Sequence, residues 1–364
     1  MSWPMGVVSD IAEVISGFAF KSEWFGAGEA KVIRIGDLKN GRVDLGGAET
    51  FDEDANQVRE QFRIKNGDIL MALSGATVGK IAVADAEAEG AYLNQRVAVV
   101  RGKCQENAEY LKYVFSGSPL QKLLLNAGGA AQPNLSPKNL AGMEIPLPPL
   151  PEQKRIAAIL GKADTIRRKR QQAIQLADNF LRTVFLEMFG DPVTNPKGWE
   201  MKKWCSVLTI VNGRTQKTVE DESGAYPICG SGGFMAKAND WLTDANSVII
   251  GRKGNINSPI LMRERFWNVD TAFGLEPKRT ELSHNYLFWF CKFFDFERLN
   301  KAVTIPSLTK TDLLQVDMPL PPREAQGKFD EIVERIDMLS AKNEKALSEP
   351  LFESLSQKAF SGQL

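Results

Sequence analysis

Pro133-Asn134-Leu135 through Glu144-Ile145-Pro146-Leu147-Pro148-Pro149 returns as Pro306-Ser307-Leu308 through Asp317-Met318-Pro319-Leu320-Pro321-Pro322 without an insertion. The offset is 173 at both ends, from 306 − 133 and from 322 − 149. Past the prolines each copy runs into a charged stretch with apolar residues at helical spacing, where Gln153/Gln326, Ile156/Phe329, Ile159/Ile332 and Asp164/Asp337 stay in step. Self-similarity at a fixed period decides the architecture before any single element does. Upstream, Trp199 answers Trp3, Gly213 answers Gly17 and Lys217 answers Lys21, each at an offset of 196. Because the offset falls from 196 to 173, the second copy is 23 residues shorter between these landmarks (196 − 173). One scaffold with two sets of loops accounts for this, and loops carry the function that varies on a fixed scaffold.

The texture of each copy is mixed α/β (α+β). Val32-Ile33-Arg34-Ile35, Asp68-Ile69-Leu70-Met71-Ala72-Leu73 and Val97-Ala98-Val99-Val100-Arg101 are short apolar runs between turns such as Lys39-Asn40-Gly41 and Lys65-Asn66-Gly67, the signature of strands. A helix is expected near 109–125, followed by a polar loop, 128–134. The domain plan is therefore 1–148 and 199–322 as two similar globular units, with a central helix and linker at 149–198 and a C-terminal helix at 323–364. In the first helix Ile156, Ile159, Ala163, Ile166, Ala173, Ala177, Phe180 and Val184 approach an a/d spacing. Over 151–189 it would run on the order of 58 Å, stopped by Gly190-Asp191-Pro192. Phe329, Ile332, Ile336 and Leu339 mark a similar face in the second, which Pro350 should kink or divide. Neither stripe is covered unless the two helices pack on each other, so an antiparallel coiled coil is expected.

Composition excludes more than it selects. With 43% hydrophobic residues over 364, a sizeable core is available. No apolar run approaches the ~20 residues of a membrane span, and Met1-Ser2-Trp3-Pro4 lacks the basic start of a secretion signal; a cytoplasmic address is expected, with no membrane partner. Cys104, Cys205, Cys229 and Cys291 are scattered with no Cys-x-x-Cys pair, so they read as reduced thiols rather than a zinc or disulfide framework. Lys plus Arg equals Asp plus Glu at 45 each. A chain so balanced grips phosphates weakly by itself, and only residues 149–198 are clearly basic, with nine basic side chains against five acidic.

Catalytic motifs fail on inspection. Gly75-Ala76-Thr77-Val78-Gly79-Lys80-Ile81 has three residues between its glycines and Ile81 where a phosphate-binding loop needs a hydroxyl; it reads as a turn between strands. Gly230-Ser231-Gly232-Gly233 reads as a flexible loop. His284, the single histidine, precedes the aromatic run Tyr286-Leu287-Phe288-Trp289-Phe290 and reads as a helix-start or core residue. Glu152-Gln153-Lys154 has the spacing of half a nuclease site, but an acid in a first helical turn is explained by the dipole. Arg167-Arg168-Lys169-Arg170 reads either as a DNA-facing run or as a solvated face pairing with acids such as Glu331 and Glu334. No catalytic residue and no metal site is expected.

Ile145-Pro146-Leu147-Pro148-Pro149-Leu150-Pro151-Glu152-Gln153-Lys154-Arg155-Ile156, the string Phe185-Leu186-Glu187-Met188-Phe189-Gly190-Asp191-Pro192 and the ending Leu355-Ser356-Gln357-Lys358-Ala359-Phe360-Ser361-Gly362 closely resemble the specificity (S) subunit of type I restriction-modification systems. Gly67-Asp68-Ile69-Leu70, Ser74-Gly75, Val78-Gly79 and Asn94-Gln95 look like its first target-recognition domain; Ile250-Gly251-Arg252-Lys253-Gly254 and Asp270-Thr271-Ala272 look like counterparts in the second. The resemblance implies two DNA-reading domains related by pseudo-twofold symmetry, for a bipartite, asymmetric double-stranded target, held apart by antiparallel helices that dock two methyltransferase subunits. Restriction subunits would join them, and adenosylmethionine, ATP and magnesium would sit on those partners, with none on this chain. The second elbow departs from the first, with Arg323-Glu324-Ala325-Gln326 in place of Leu150-Pro151-Glu152-Gln153.

Arg, Lys, Asn and Gln distinguish base pairs in the major groove by paired hydrogen bonds. Loop residues of those types are the candidate readers: Lys21, Lys80, Asn94, Gln95, Arg96, Gln132 and Asn134 in the first domain, and Arg214, Lys217, Arg252, Lys253, Asn255 and Asn257 in the second. Ile156, Ile159, Ala163, Ile166, Phe180, Phe329, Ile332, Ile336 and Leu339 are the candidates for helix packing and partner docking. Two other classes compete with a recognition subunit. One is a stand-alone methyltransferase or nuclease, which would act without partners; the other is an S-like scaffold of another phage-defence system. Exposed helix faces would also let the isolated chain self-associate.

Overall fold

The computed structural model describes residues 3–117, 120, 124, 135–302, 304–344 and 349–364. They form two compact units, residues 1–169 with 346–364 and residues 170–345. A two-strand antiparallel ladder closes each domain, Met5–Val7 with Glu144–Pro146 in the first unit and Met201–Lys203 with Asp317–Pro319 in the second. The pair Met5↔Pro146 becomes Met201↔Pro319, a shift of 196 on one strand (201 − 5) and 173 on the other (319 − 146). Both sequence offsets thus meet in a single ladder, which brings the start of each domain to its proline elbow.

The main sheet of the first unit has six strands in the order Ala12–Ser16, Val97–Gly102, Ile69–Ala72, Ile81–Val83, Arg42–Val43, Leu38–Lys39. That of the second has four, Leu208–Asn212, Ala272–Pro277, Ser247–Gly251 and Ile260–Met262. Ile69–Ala72 and Ser247–Gly251 are buried at every position, which is why they read as unbroken apolar runs rather than alternating ones. A smaller three-strand sheet lies in each unit: Glu49–Phe51, Phe25–Ile33 and Tyr92–Leu93 in the first, Gly233–Ala238, Tyr226–Gly230 and Trp267–Asn268 in the second. The extra hairpin Leu38–Lys39/Arg42–Val43 turns on Asn40 (φ +52°) and Gly41 (φ +75°), an Asn-Gly pair suited to the left-handed turn.

The domain helix of the first unit spans Gln105–Val114, starting before the expected 109–125, of which residues 118, 119, 121–123 and 125 lie outside the described residues. Its counterpart is His284–Phe293, capped by Ser283. Tyr110 Oη donates to the Pro146 carbonyl (2.6 Å) and Tyr286 Oη to the Pro319 carbonyl (2.7 Å). Burial pushes both phenols up, so each stays a neutral donor.

Each elbow is held by the glutamine that the repeat keeps in step. Gln153 Nε2 donates to the Pro148 carbonyl (2.9 Å) while its Oε1 accepts from Asn107 Nδ2 (2.8 Å). Gln326 Nε2 donates to the carbonyls of Pro321 (2.7 Å) and Glu281 (2.9 Å), and its Oε1 accepts from Ser283 N (2.7 Å). One side chain therefore pins the elbow and the first turn of the following helix to the domain.

A single helix, Leu150–Phe189, follows the first elbow for 40 residues and stops where Gly190 turns left-handed (φ +77°). In the first unit it buries Ile156, Ala157, Leu160 and Ala163, and the terminal helix, Glu349–Ser361, runs antiparallel to it: Arg167 lies over the Phe352 ring, and twelve residues earlier Arg155 reaches the Leu364 carbonyl. In the second unit the same helix buries Leu181, Phe185 and Phe189, with Phe329 of the helix Arg323–Glu344 packed on both phenylalanines at 5.5 and 5.6 Å between rings. Pro350 stands in the first turn of the terminal helix, where its missing N–H has no partner to lose. Trp3 Nε1 donates to the Ala359 carbonyl (2.7 Å), as Trp199 Nε1 donates to the Phe189 carbonyl (2.9 Å). The terminal helix thus closes the first unit as the end of the long helix closes the second, and Gly362 (φ +76°) repeats the turn at Gly190.

The expected stripe is corrected in part. Ile156, Ala163 and Phe329 are buried, and Ile159, Ile332 and Ile336 partly so, but Ile166, Phe180 and Leu339 are exposed. A straight helix drifts by ~20° per heptad from a strict a/d repeat, so a stripe extended along 40 residues leaves the buried face. Arg167 and Arg168 both bond Asp164 within their own helix, at 2.9 Å each.

Candidate nucleic-acid interface

The same three backbone bonds tie one end of the main sheet in each unit. In the first, Leu73 N donates to the Arg96 carbonyl (3.0 Å), Leu135 N to the Leu73 carbonyl (2.8 Å) and Gly17 N to the Val97 carbonyl (3.1 Å). In the second, Arg252 N donates to the Thr271 carbonyl (2.8 Å), Leu308 N to the Arg252 carbonyl (2.9 Å) and Gly213 N to the Ala272 carbonyl (3.2 Å). Leu73 therefore corresponds to Arg252, and Arg96 to Thr271. A Cβ on Gly17 would lie 2.1 Å from the Asn94 carbonyl oxygen, and one on Gly213 1.8 Å from that of Val269, so only glycine lets these loops converge.

In the first unit the Ala72 N–H bonds the Lys80 carbonyl (2.9 Å), closing the turn between Ile69–Ala72 and Ile81–Val83. The phosphate-loop look-alike is that turn. Asn94 N bonds the Ile33 carbonyl and Gln95 N the Phe18 carbonyl, which fixes the backbone and leaves the Lys80, Gln95 and Arg96 side chains exposed beside half-buried Asn94. Lys21 stands three residues beyond Phe18, 3.8 Å from Glu23 and with its ammonium 5.6 Å from the Trp24 ring centre. Gln132 and Asn134 lie outside the described residues.

In the second unit Arg252 donates to the Asp270 carbonyl (3.5 Å) and its guanidinium lies 5.8 Å from the Phe273 ring centre. Lys253 is bridged to Ser307, while Asn255 Nδ2 reaches the Ser231 carbonyl (3.4 Å). Arg214 is anchored through its backbone to Asn268 and to the Trp267 indole, and Lys217 is exposed on the same loop. Asn257 is engaged internally: its Nδ2 donates to Asp295 (3.0 Å) and its Oδ1 accepts from Phe296 N (2.8 Å). Gly230-Ser231-Gly232-Gly233 is not a loose loop but the turn of the hairpin Tyr226–Gly230/Gly233–Ala238. Sequence reasoning missed the exposed pair Phe234 and Met235 on the strand leaving this turn; two large apolar residues directly after a run of glycines were the available signal.

Reactive chemistry elsewhere is subdued. No group of three or more His, Cys, Asp or Glu side chains suited to a metal ion occurs among the described residues. Burial pushes the Cys229 thiol up to about 11, so it stays protonated at neutral pH. His284 is the first residue of its helix and accepts from Arg263 (2.8 Å); burial, then Arg263, hold its pKa below the usual value. No helix among the described residues is long and apolar enough to cross a membrane.

Residues 2–176 and 196–351 each match the family model described as the type I restriction modification DNA specificity domain. The chain belongs to that family. Its two matched segments correspond to the two copies of the internal repeat. Over 389 aligned residues it is 22% identical to the type I restriction enzyme MjaIX specificity subunit of Methanocaldococcus jannaschii, covering 95% of this chain and 89% of that one. A second specificity subunit of that organism, MjaVIII, is 28% identical across 50% of this chain and 45% of its own length. Among solved structures, the type I restriction-modification S subunit of M. genitalium superposes with a TM-score of 0.67 at 16% identity, covering 99% of this chain and 96% of that one. Fold and membership of the specificity-subunit family therefore agree.

Proposed function

We propose that this chain gives a type I restriction-modification complex its DNA address, one half of a bipartite target being read by each unit. The observation that carries this reading is the repeated set of three backbone bonds that gathers polar and cationic loop residues at one end of each main sheet. Lys80, Asn94, Gln95 and Arg96 are the described readers of the first unit, with Lys21 as an outlying contact. Arg214, Lys217, Arg252, Lys253 and Asn255 serve the second, and the internal bonds of Asn257 make it a loop brace instead. Different side chains on one scaffold give an asymmetric target.

Chemistry falls to partners in this reading. Methyltransferase subunits, two by the repeat, would hold adenosylmethionine, and restriction subunits would use ATP and magnesium. Ile174, Leu176 and Phe180 on the long helix and Met338 and Leu339 on Arg323–Glu344 are exposed apolar side chains in the second unit. Exposed patches of this kind suit protein docking, here by a methyltransferase subunit, and partner contacts to the phosphates would offset the chain's neutral net charge. Their exposure also favours self-association of the isolated chain.

The test is the methylome of cells carrying the gene together with its partner methyltransferase. A split, asymmetric methylated motif is expected, and a continuous or absent motif would reject the reading. Arg252→Ala should cost about 1–3 kcal/mol and relax one position in one half of the motif, whereas loss of a phosphate contact would weaken all sites alike. Methyl transfer by the purified chain alone would support the stand-alone enzyme instead.

A further inference from the structure

The hairpin Tyr226–Gly230/Gly233–Ala238 carries an apolar pair that hydrogen-bonding base readers do not explain. Phe234 is 66% exposed and Met235 56% exposed, and the pairing slips from Ile228↔Ala236 to Cys229↔Phe234, which leaves Met235 as the extra residue of a bulge that re-aims its neighbours. The hairpin tip therefore presents two adjacent apolar side chains to solvent. The tip is nonetheless anchored beside the candidate readers: Asn255 Nδ2 donates to the Ser231 carbonyl (3.4 Å), and Val269 N donates to the Cys229 carbonyl (3.0 Å) in the segment leading to Asp270 and Thr271. A Cβ on Gly230 would lie 3.2 Å from the Met235 sulfur and 3.3 Å from a Val269 methyl, so the base of the tip is closely fitted. Gly233 takes φ +102°, a geometry that a side chain there would strain. The described hairpins of the first unit carry no equally exposed aromatic residue at their turns.

Two adjacent exposed apolar side chains rimmed by polar residues make the kind of patch that marks a binding surface, as a single one does not. Around this tip the available surface is cationic and amide-rich, with Arg252, Lys253 and Asn255 on the adjoining loop. That environment favours duplex DNA as the covering partner over a second apolar protein surface. In the major groove the apolar group available to a phenylalanine is the thymine C5-methyl, which marks a T·A pair beside donor and acceptor edges read by Arg or Asn. We infer that the Phe234-Met235 tip is an apolar specificity element of the second unit, with Phe234 packing on a thymine methyl in the half-site that Arg252 and Asn255 also read. This deepens the DNA-address reading and rests on it.

The test compares the methylomes of cells carrying the chain with its partner methyltransferase in four forms: parent, Phe234→Ala, Phe234→Leu and Arg252→Ala. The expected result is that Phe234→Ala loses about tenfold in discrimination, the cost of one mismatched pair, at one T·A position in the half-site altered by Arg252→Ala. Phe234→Leu should keep most of that discrimination. Purified parental complex should lose a comparable factor on duplexes with deoxyuridine at that thymine. If Arg252→Ala shifts a half-site and Phe234→Ala does not, or if the relaxed position is not T·A, the hairpin inference falls while the address reading stands. If neither variant changes the motif, both fall. Loss of every mark in both Phe234 variants would assign the residue to folding and overturn the inference.

Discussion

Asp68→Ala should destabilise the first unit by about 3–5 kcal/mol, the range for removing one partner of a buried ion pair. The Asp68 side chain is 2% exposed and accepts from Arg101 Nε (2.8 Å), Arg101 Nη2 (2.6 Å) and Lys65 N (2.8 Å). Arg101 Nη2 also reaches the Arg63 carbonyl (3.0 Å), so the fork ties Ile69–Ala72 and Val97–Gly102 to the turn that precedes them. Alanine would strand a mostly buried guanidinium and one backbone N–H. Replacing both partners should be far milder, because two apolar side chains of similar shape leave no charge to solvate. Urea unfolding of the full chain tests this. Asp68→Ala should lower the midpoint of one transition while leaving the unit of residues 170–345 unchanged, and Asp68→Leu with Arg101→Met should recover most of the loss. A cost below about 1 kcal/mol for the single variant, the scale of an exposed pair, would show that the two charges are solvated in solution.

The part of this molecule that can be read from sequence is the part fixed by local chemistry repeated at a constant offset. Met5 and Met201 lie 196 residues apart and Pro146 and Pro319 lie 173 apart, because the ladder that closes each domain admits no insertion within either strand. Gly17 and Gly213 are legible as landmarks for the same reason, since no side chain fits where the loops cross. The failures share a cause as well. An idealised heptad puts Ile166, Phe180 and Leu339 on the packed face, but the long helix packs on domain surfaces such as Tyr286 and Phe293 as well as on helices, and those contacts set the buried side. Asn257 carries the right functional groups for a base reader, yet nothing in its neighbourhood along the chain announces that Asp295 and Phe296, some forty residues on, engage both ends of its amide. Phe234 and Met235 escape because apolar residues are assigned to cores by default, and only a structure shows them exposed.

The glutamines kept in step by the repeat allow the two elbows to be ranked. Gln326 is fully buried and serves three backbone groups, the carbonyls of Pro321 and Glu281 and the N–H of Ser283, besides accepting from the exposed Arg323 at 3.4 Å. Gln153, 3% exposed, serves two, the Pro148 carbonyl and the Asn107 amide. Leucine keeps most of the volume at either position but neither donates nor accepts, so each former partner is left without a bond away from water. At roughly 1–3 kcal/mol for each buried group left unsatisfied, Gln326→Leu should cost about 3 kcal/mol or more and Gln153→Leu about 2 kcal/mol. The gap between them widens because Asn107 can turn its amide toward another acceptor, whereas a backbone N–H at the start of a helix cannot. Glutamate at 326 separates hydrogen bonding from packing: it retains the acceptor for Ser283 N but presents oxygen to two carbonyls, and should be worse than leucine near neutral pH and improve as the pH falls and its carboxyl gains a proton. Thermal unfolding of the three variants over that range decides the matter, and equal costs for Gln326→Leu and Gln153→Leu would mean that the elbows are held by their prolines and ladders rather than by these side chains.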